Sequence, residues 1–155
     1  MNVKPLRETD PSDPSLNTIM AEDGYIFLRG GLNTEKVLNF RNEFISILQK
    51  YNILKSDNSE PIWTGVNPDR DIGYNILDEG SEAKSMNELS HMEEILRIAE
   101  TILGEYPYVF PEMVPRFQPP NDPVFLTLSH QDRYFFEDSI EFYAAWTPLM
   151  DMDES

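Results

Sequence analysis

Residues 124–132 read VFLTLSHQD, and residues 140–147 read IEFYAAWT. Both runs are rich in β-branched and aromatic residues, which predicts two β-strands. Glu137, Asp138 and Ser139 lie between them and favour a turn. Because successive residues of a strand point to opposite faces, one face of the second strand should carry Ile140, Phe142, Ala144 and Trp146. These two strands, with no helix between them, decide the fold class.

The chain before residue 105 predicts mainly helices. One helix is predicted from about residue 34 to residue 51, with Asn33 or Thr34 as its N-cap. Its apolar residues recur every three or four positions, as expected for one buried stripe: Val37, Phe40, Phe44, Leu48 and Tyr51. A second helix is predicted from residue 86 or 91 to Leu103, and Gly104 should end it.

Two sequences near the start of the second helix, Ser85…Glu88 and Ser90…Glu93, fit the capping box. Six of the twelve prolines fall within residues 105–123, which excludes helix there. Helices followed by strands, without alternation, predict an α+β fold.

The remaining segments give weaker signals. Residues 1–20 contain three prolines among polar residues and predict an extended arm. Residues 24–29, GYIFLR, predict a short strand that ends at a Gly-Gly turn. Residues 52–84 are rich in Asp, Asn, Ser and Gly, which predicts a long surface excursion with one or two short strands at residues 62–63 and 74–77.

Composition limits the classes of function. The chain has 155 residues, a formal charge of −16 and no cysteine. The negative charge opposes binding to nucleic acid and to anionic membranes. The lack of cysteine excludes disulfides, thiolate metal sites and cysteine nucleophiles. With no secretory signal and no apolar run long enough for a membrane span, we expect a cytoplasmic protein.

His130 and Asp132 are the residues that could carry chemistry. Two residues apart on a strand, an imidazole and a carboxylate lie on the same face and can bind one divalent metal ion. The spacing alone is weak, because acids are frequent in this chain and His91 is also followed two positions later by an acid, Glu93. In a predicted helix those two side chains diverge, so His91 is expected at the surface. A hydrogen-bonded structural histidine remains the alternative for His130.

Four motifs in order resemble the phytanoyl-CoA dioxygenase family of Fe(II)- and 2-oxoglutarate-dependent oxygenases. Residues 23–32, DGYIFLRGGL, followed by a predicted helix, resemble its opening strand and helix. Gln118-Pro119-Pro120 precedes His130 at a similar distance, His130-Gln131-Asp132 matches the His-x-Asp motif, and residues 145–151, AWTPLMD, resemble the strand that follows.

The resemblance implies the fold, the activity and the cofactors. It implies N-terminal helices packed on the first strands of a double-stranded β-helix, the cupin-like jelly roll, with Fe(II) and the cosubstrate 2-oxoglutarate used to hydroxylate a small organic substrate with O₂. His130 and Asp132 would be metal ligands, and the carboxylate favours hydroxylation over halogenation. Trp146 and Gln118 would contact cosubstrate, although a core tryptophan and an exposed loop amide are the alternatives.

Tyr134 and Phe136 share the strand parity of His130 and would line the substrate side, with apolar packing as the alternative. The expected organisation is an arm over residues 1–20 and a partial oxygenase domain over residues 21–155. Its helical support region would cover residues 21–104, and the barrel would start in residues 105–155.

The family also requires a second histidine later in the chain and, after it, an arginine that pairs with 2-oxoglutarate, and no histidine follows His130 within these 155 residues. We therefore expect a truncated barrel and an inactive isolated chain. Unpaired strand edges would allow self-association. An inactive acidic fragment that acts as a binding or interaction protein, and one half of a split enzyme, are the alternative functions.

Overall fold

A computed structural model of the protein describes residues 6–57, 60–111, 113–120, 132 and 142–151. The chain divides into two compact units, one formed by residues 1–40 and 84–113 and the other by residues 41–83 and 114–155. Within the described residues the elements follow in the order β1 (Glu8–Thr9), α1 (Leu16–Asp23), β2 (Phe27–Leu28), α2 (Thr34–Lys50), β3 (Leu54–Asp57), β4 (Glu60–Trp63), α3 (Arg70–Glu82), α4 (Lys84–Ser90) and α5 (Glu93–Leu103).

The first unit contains a short parallel pair of strands, β1 and β2, in which Glu8 is opposite Phe27. The predicted strand at residues 24–29 is therefore present as the two residues of β2. Ion pairs lie beside these strands: Arg29 contacts Glu8 at 3.2 Å and Arg7 contacts Asp23 at 3.3 Å. All four side chains are at least partly exposed, so each pair stabilises the fold only weakly.

The predicted extended arm is wrong over its last residues, because α1 begins at Leu16. Leu16 and Ile19 are 0% and 4% exposed, and α1 packs against α5. The helix ends at Gly24, whose φ of 75° is the left-handed conformation that glycine adopts without strain. Only two of the eight residues of α1 are buried and apolar, which is too few to produce a clear helical period in the sequence. The hydropathy pattern therefore does not predict this helix.

The prediction of α2 is confirmed. The side chain of Asn33 accepts hydrogen bonds from the backbone N–H groups of Glu35 at 3.0 Å and Lys36 at 3.3 Å, which makes Asn33 the N-cap. Phe40, Phe44 and Leu48 are 2%, 3% and 6% exposed. These positions are four residues apart and form the buried stripe that the sequence predicts.

The second unit contains the antiparallel hairpin of β3 and β4, in which Leu54 is opposite Trp63. After the hairpin, the hydroxyl of Thr64 donates to the carbonyl oxygens of Asn52 and Ile53, and the backbone N–H of Thr64 also donates to Ile53. The predicted short strand at residues 62–63 is confirmed as part of β4.

The predicted strand at residues 74–77 is wrong, because these residues belong to α3. Asp69 caps this helix by accepting from the backbone N–H of Ile72 at 2.8 Å. The buried residues of α3 are Gly73, Ile76 and Gly80. These positions are three and four residues apart, as expected for one face of a helix. Two of the three are glycines, however, so they add no apolar side chain to the sequence pattern from which a helix would be predicted.

The second predicted helix is two helices, α4 and α5, separated by His91 and Met92. Neither capping box forms: Ser85 lies inside α4, and the N-cap of α5 is Met92, which makes no side-chain cap bond. Gly104 ends α5 with a φ of 77°, as predicted. No helix is present in residues 105–111 and 113–120, in agreement with the proline content.

The predicted barrel strands fall mostly outside the described residues. Of residues 124–132 only Asp132 is described, and residues 142–147 are described but form no strand. An extended segment becomes a strand only through a hydrogen-bonded neighbour, and the described sheets pair only β1 with β2 and β3 with β4. The described part is thus a mixture of helices and few strands without a closed barrel, and the truncated jelly roll stays a prediction.

Candidate metal centre and its surroundings

The predicted metal ligands are described only in part. Asp132 is exposed, whereas His130 lies outside the described residues, as do the predicted substrate-lining residues Tyr134 and Phe136. Among the described residues, no group of three His, Asp or Glu side chains could hold a metal ion. Because His130 is not among the described residues, the ligand set of the predicted site stays a prediction.

The other histidine, His91, is exposed between α4 and α5, as predicted. Its Nδ1 lies 2.9 Å from the carbonyl oxygen of Asn87 and 2.9 Å from the hydroxyl of Ser90. These contacts with neighbouring residues account for the position of the His91 ring. His91 therefore serves as an internal control for metal binding by His130.

Trp146 and Gln118, the predicted cosubstrate contacts, both lie in segments without regular secondary structure. Trp146 is 71% exposed, so within this structure it is neither a core tryptophan nor a residue enclosed in a pocket. The side-chain amide of Gln118 donates to the carbonyl oxygen of Pro119 at 3.4 Å. Their roles toward a cosubstrate stay predictions.

The segment that carries Gln118 is anchored to the second unit by its neighbours. Pro115 and Pro119 are buried, and the ring of Phe117 meets that of Phe44 edge to face with centroids 6.3 Å apart. A Cβ on Gly80 would lie 2.8 Å from both Phe44 and Pro115. The absence of a side chain at Gly80 thus lets α3 approach α2 and the proline-rich segment closely.

A cluster of Lys50, Tyr51 and Glu79 joins the end of α2 to α3. The carboxylate of Glu79 accepts from Lys50 Nζ at 2.6 Å and from the hydroxyl of Tyr51. The hydrogen bond from Lys50, with that from Tyr51, lowers the pKa of Glu79. The same bonds to Glu79 raise the pKa of Lys50 and of Tyr51. No local sequence pattern predicts this cluster, because Glu79 lies 29 residues from Lys50 and 28 residues from Tyr51.

Both of these features, the close approach at Gly80 and the Glu79 cluster, hold elements together. None of the described helices is long and apolar enough to cross a bilayer.

Comparison with known proteins supplies the functional context. The family profile described as phytanoyl-CoA dioxygenase matches residues 20–155. Two curated proteins called 1-deoxypentalenic acid 11-beta-hydroxylase are similar to the chain. That of Streptomyces exfoliatus is 26% identical over 142 residues, which cover 88% of this chain and 48% of the relative. That of Streptomyces arenae matches with the same identity and coverage. The chain thus spans about half the length of these relatives, and no solved structure matches it significantly.

Proposed function

The chain belongs to the phytanoyl-CoA dioxygenase family, and from that membership we propose that it is part of an Fe(II)- and 2-oxoglutarate-dependent oxygenase that hydroxylates a small organic molecule. The single observation that carries the proposal is the family match over residues 20–155, which includes the His130-Gln131-Asp132 motif. The two similar Streptomyces proteins are named as hydroxylases, which agrees with this class of reaction.

His130 and Asp132 are the proposed protein ligands of the iron. Their donor set fits, because an imidazole nitrogen and a carboxylate oxygen are ligands that divalent first-row metals accept. The side chain of Asp132 is exposed, so solvent ions can reach it. Bound Fe(II) together with 2-oxoglutarate would supply the activation of O₂ and the oxidation of a substrate C–H bond.

The remaining predicted residues would bind and orient. The amide of Gln118 can donate a hydrogen bond to a carboxylate of the cosubstrate, and the buried prolines on either side fix its backbone. The indole of Trp146 can form an apolar wall of the cosubstrate site, provided that another part of the protein covers it. Tyr134 and Phe136 are proposed to line the substrate side.

The isolated 155-residue chain should bind metal weakly and should not turn over cosubstrate. Two protein ligands hold an ion less tightly than three. In the family the arginine that pairs with the far carboxylate of 2-oxoglutarate follows a second histidine, and no histidine follows His130 in these 155 residues. An inactive family member that acts as an acidic interaction protein is the alternative, and it requires no metal affinity at His130.

Metal titration separates these two proposals. Anaerobic calorimetric titration of the chain with Fe(II) should show one site whose affinity falls by at least about tenfold in His130→Ala, since even residues that only orient a metal ligand change affinity by about 10–100-fold. His91→Ala is the matched control and should leave the affinity unchanged. Equal affinities in wild type and His130→Ala would favour the interaction protein.

A further inference from the structure

Residues 114–120, VPRFQPP, form an irregular segment of the second unit whose side chains alternate between covered and exposed. The side chains at positions 115, 117 and 119 are buried or half-buried. The side chains between and beside them are exposed: Val114, Arg116, Gln118 and Pro120. A period of two is that of an extended chain, in which alternate residues share a face. The four exposed side chains therefore form one outward face, which we call the Arg116 face.

The backbone behind the Arg116 face is held by the second unit. The ring of Phe117 meets that of Phe44 edge to face, with centroids 6.3 Å apart. Pro115 is buried and lies so close to α3 that a Cβ on Gly80 would be 2.8 Å from its ring. A backbone fixed in this way presents its outward side chains with little ordering cost when a ligand binds.

Arg116 is an exposed cation without an ion pair to any residue that the structure describes. Five other basic side chains of the described part pair with carboxylates: Arg7, Arg29, Arg41, Lys50 and Lys84. Residues 113–120 contain no acid, although the chain has 28 Asp and Glu residues. The positive charge of Arg116 is therefore not compensated by its neighbours in sequence.

Arg97 on α5 provides a contrast. It is also exposed and also lacks an ion pair among the described residues. Its neighbours on the helix surface, three and four residues away, are the acids Glu93, Glu94 and Glu100. These carboxylates repel an anionic ligand from Arg97, which makes this residue the matched control for Arg116.

The chemistry of the Arg116 face fits a carboxylate attached to an apolar body. A guanidinium presents a planar fork of N–H donors that matches the two oxygens of a carboxylate. Val114 is 49% exposed and lies two residues away on the same face, roughly 7 Å along an extended chain. A second carboxylate on the ligand would be disfavoured by the total charge of −16.

We propose that Arg116 binds the carboxylate of an organic acid whose apolar body lies along Val114, and that this acid is the substrate of the oxygenase. The identification of the ligand as the substrate rests on the proposed function, because Gln118, the proposed cosubstrate contact, lies on the same face. Binding itself requires neither iron nor 2-oxoglutarate. Arg116 would thus select a carboxylic acid among small organic molecules.

The test is a titration of the metal-free, ¹⁵N-labelled chain in EDTA with hexanoate at constant ionic strength. The backbone amide resonances of Phe117 and Gln118, followed by nuclear magnetic resonance, should shift to saturation. Arg116→Gln should weaken binding by at least about tenfold, as expected for the loss of a charge-assisted hydrogen bond. Arg116→Lys keeps the charge but not the fork and should bind with intermediate affinity. Arg97→Gln should change the affinity by less than about threefold.

Two further ligands identify the group that is recognised. Hexanamide has the same apolar body without the charge and should bind at least about tenfold more weakly than hexanoate. 2-Oxoglutarate should also bind more weakly than hexanoate. If 2-oxoglutarate binds more tightly and its binding requires Arg116, the guanidinium serves the cosubstrate and the proposal is wrong.

The proposal is also overturned if hexanoate causes no saturable shift, if hexanamide binds as tightly, or if Arg97→Gln loses as much affinity as Arg116→Gln. Far-ultraviolet circular dichroism confirms that the variants are folded. Because no metal is present, the result is independent of iron binding at His130. Loss of hexanoate binding would leave the oxygenase proposal intact, and loss of iron binding would leave the carboxylate site intact.

Discussion

Replacing Gly80 with alanine adds one carbon atom on the buried face of α3, where the structure leaves no room for it. The added Cβ would lie 2.8 Å from Phe44 Cε2 and 2.8 Å from Pro115 Cγ. Neither neighbour can move easily, because Phe44 is 3% exposed and Pro115 is a buried ring. Overpacking of this kind costs about 1–3 kcal/mol, and two simultaneous close contacts place Gly80→Ala in the upper half of that range.

Helix propensity acts in the opposite direction, because alanine is about 1 kcal/mol more favourable than glycine in a helix interior. The net expectation is a loss of about 1–2 kcal/mol in the free energy of unfolding, measured by urea denaturation. Asp78→Ala, at an exposed position of the same helix, is the control for propensity. It should be neutral or slightly stabilising.

A double-mutant cycle identifies the cause of that loss. Phe44→Leu removes the ring atoms that Gly80→Ala would touch, so the two substitutions together should cost less than the sum of the single effects by about 1 kcal/mol. Stabilisation by Gly80→Ala alone, or strict additivity with Phe44→Leu, would refute the close approach of α3 and Phe44.

The remaining predictions concern a buried hydroxyl, a charge cluster and turnover. Thr9 is 8% exposed and its Oγ1 has no hydrogen-bond partner among the described residues, so Thr9→Val should raise the free energy of unfolding by about 1 kcal/mol. A decrease of similar size would mean that the hydroxyl forms a hydrogen bond in solution. The pKa of Glu79 lies below the ordinary value of 4.5 for this side chain. The ionised carboxylate therefore stabilises the fold above about pH 4.5, and this stabilisation disappears as the pH falls through the lowered pKa. The urea midpoints of wild type and Glu79→Gln should therefore differ at neutral pH and converge in acid. The control Glu82→Gln, at an exposed position of the same helix, should show no such pH-dependent difference from wild type. A difference between wild type and Glu79→Gln that stays the same at every pH would contradict a stabilising role of the Glu79 carboxylate. Finally, the purified 155-residue chain should form no succinate from 2-oxoglutarate with Fe(II) and O₂, and succinate formation that requires His130 would contradict the need for a further histidine and arginine.

The helices show which parts of the fold the sequence could predict. α2 has both a side-chain cap at Asn33 and large apolar residues at every fourth position, Phe40, Phe44 and Leu48, so local signals agree with its burial. The buried positions of α3 also recur every three or four residues, but two of them are glycines, and Gly80 is buried because Phe44 and Pro115 approach it closely. Such a helix depends on tertiary contacts, which a hydropathy pattern does not record.

At the candidate site, local sequence signals predict the residues but not the structure around them. The pairing of His130 with Asp132 is a prediction from strand periodicity and from the family motif, both of which are local in sequence. A strand, however, exists only with a neighbour, and residues 142–147 form none although their composition favours one. The exposure of Trp146 also depends on which other residues cover it, and no local pattern could predict that.

The most direct test of the central claim is to count histidine nitrogens bound to a metal ion in this chain. Pulsed electron paramagnetic resonance of Mn(II) added to chain labelled with ¹⁵N-histidine should detect one coupled imidazole nitrogen. The coupling should disappear in His130→Ala and persist in His91→Ala. A coupling that survives in His130→Ala, or no coupling in the wild-type chain, would contradict a metal centre at His130 and Asp132.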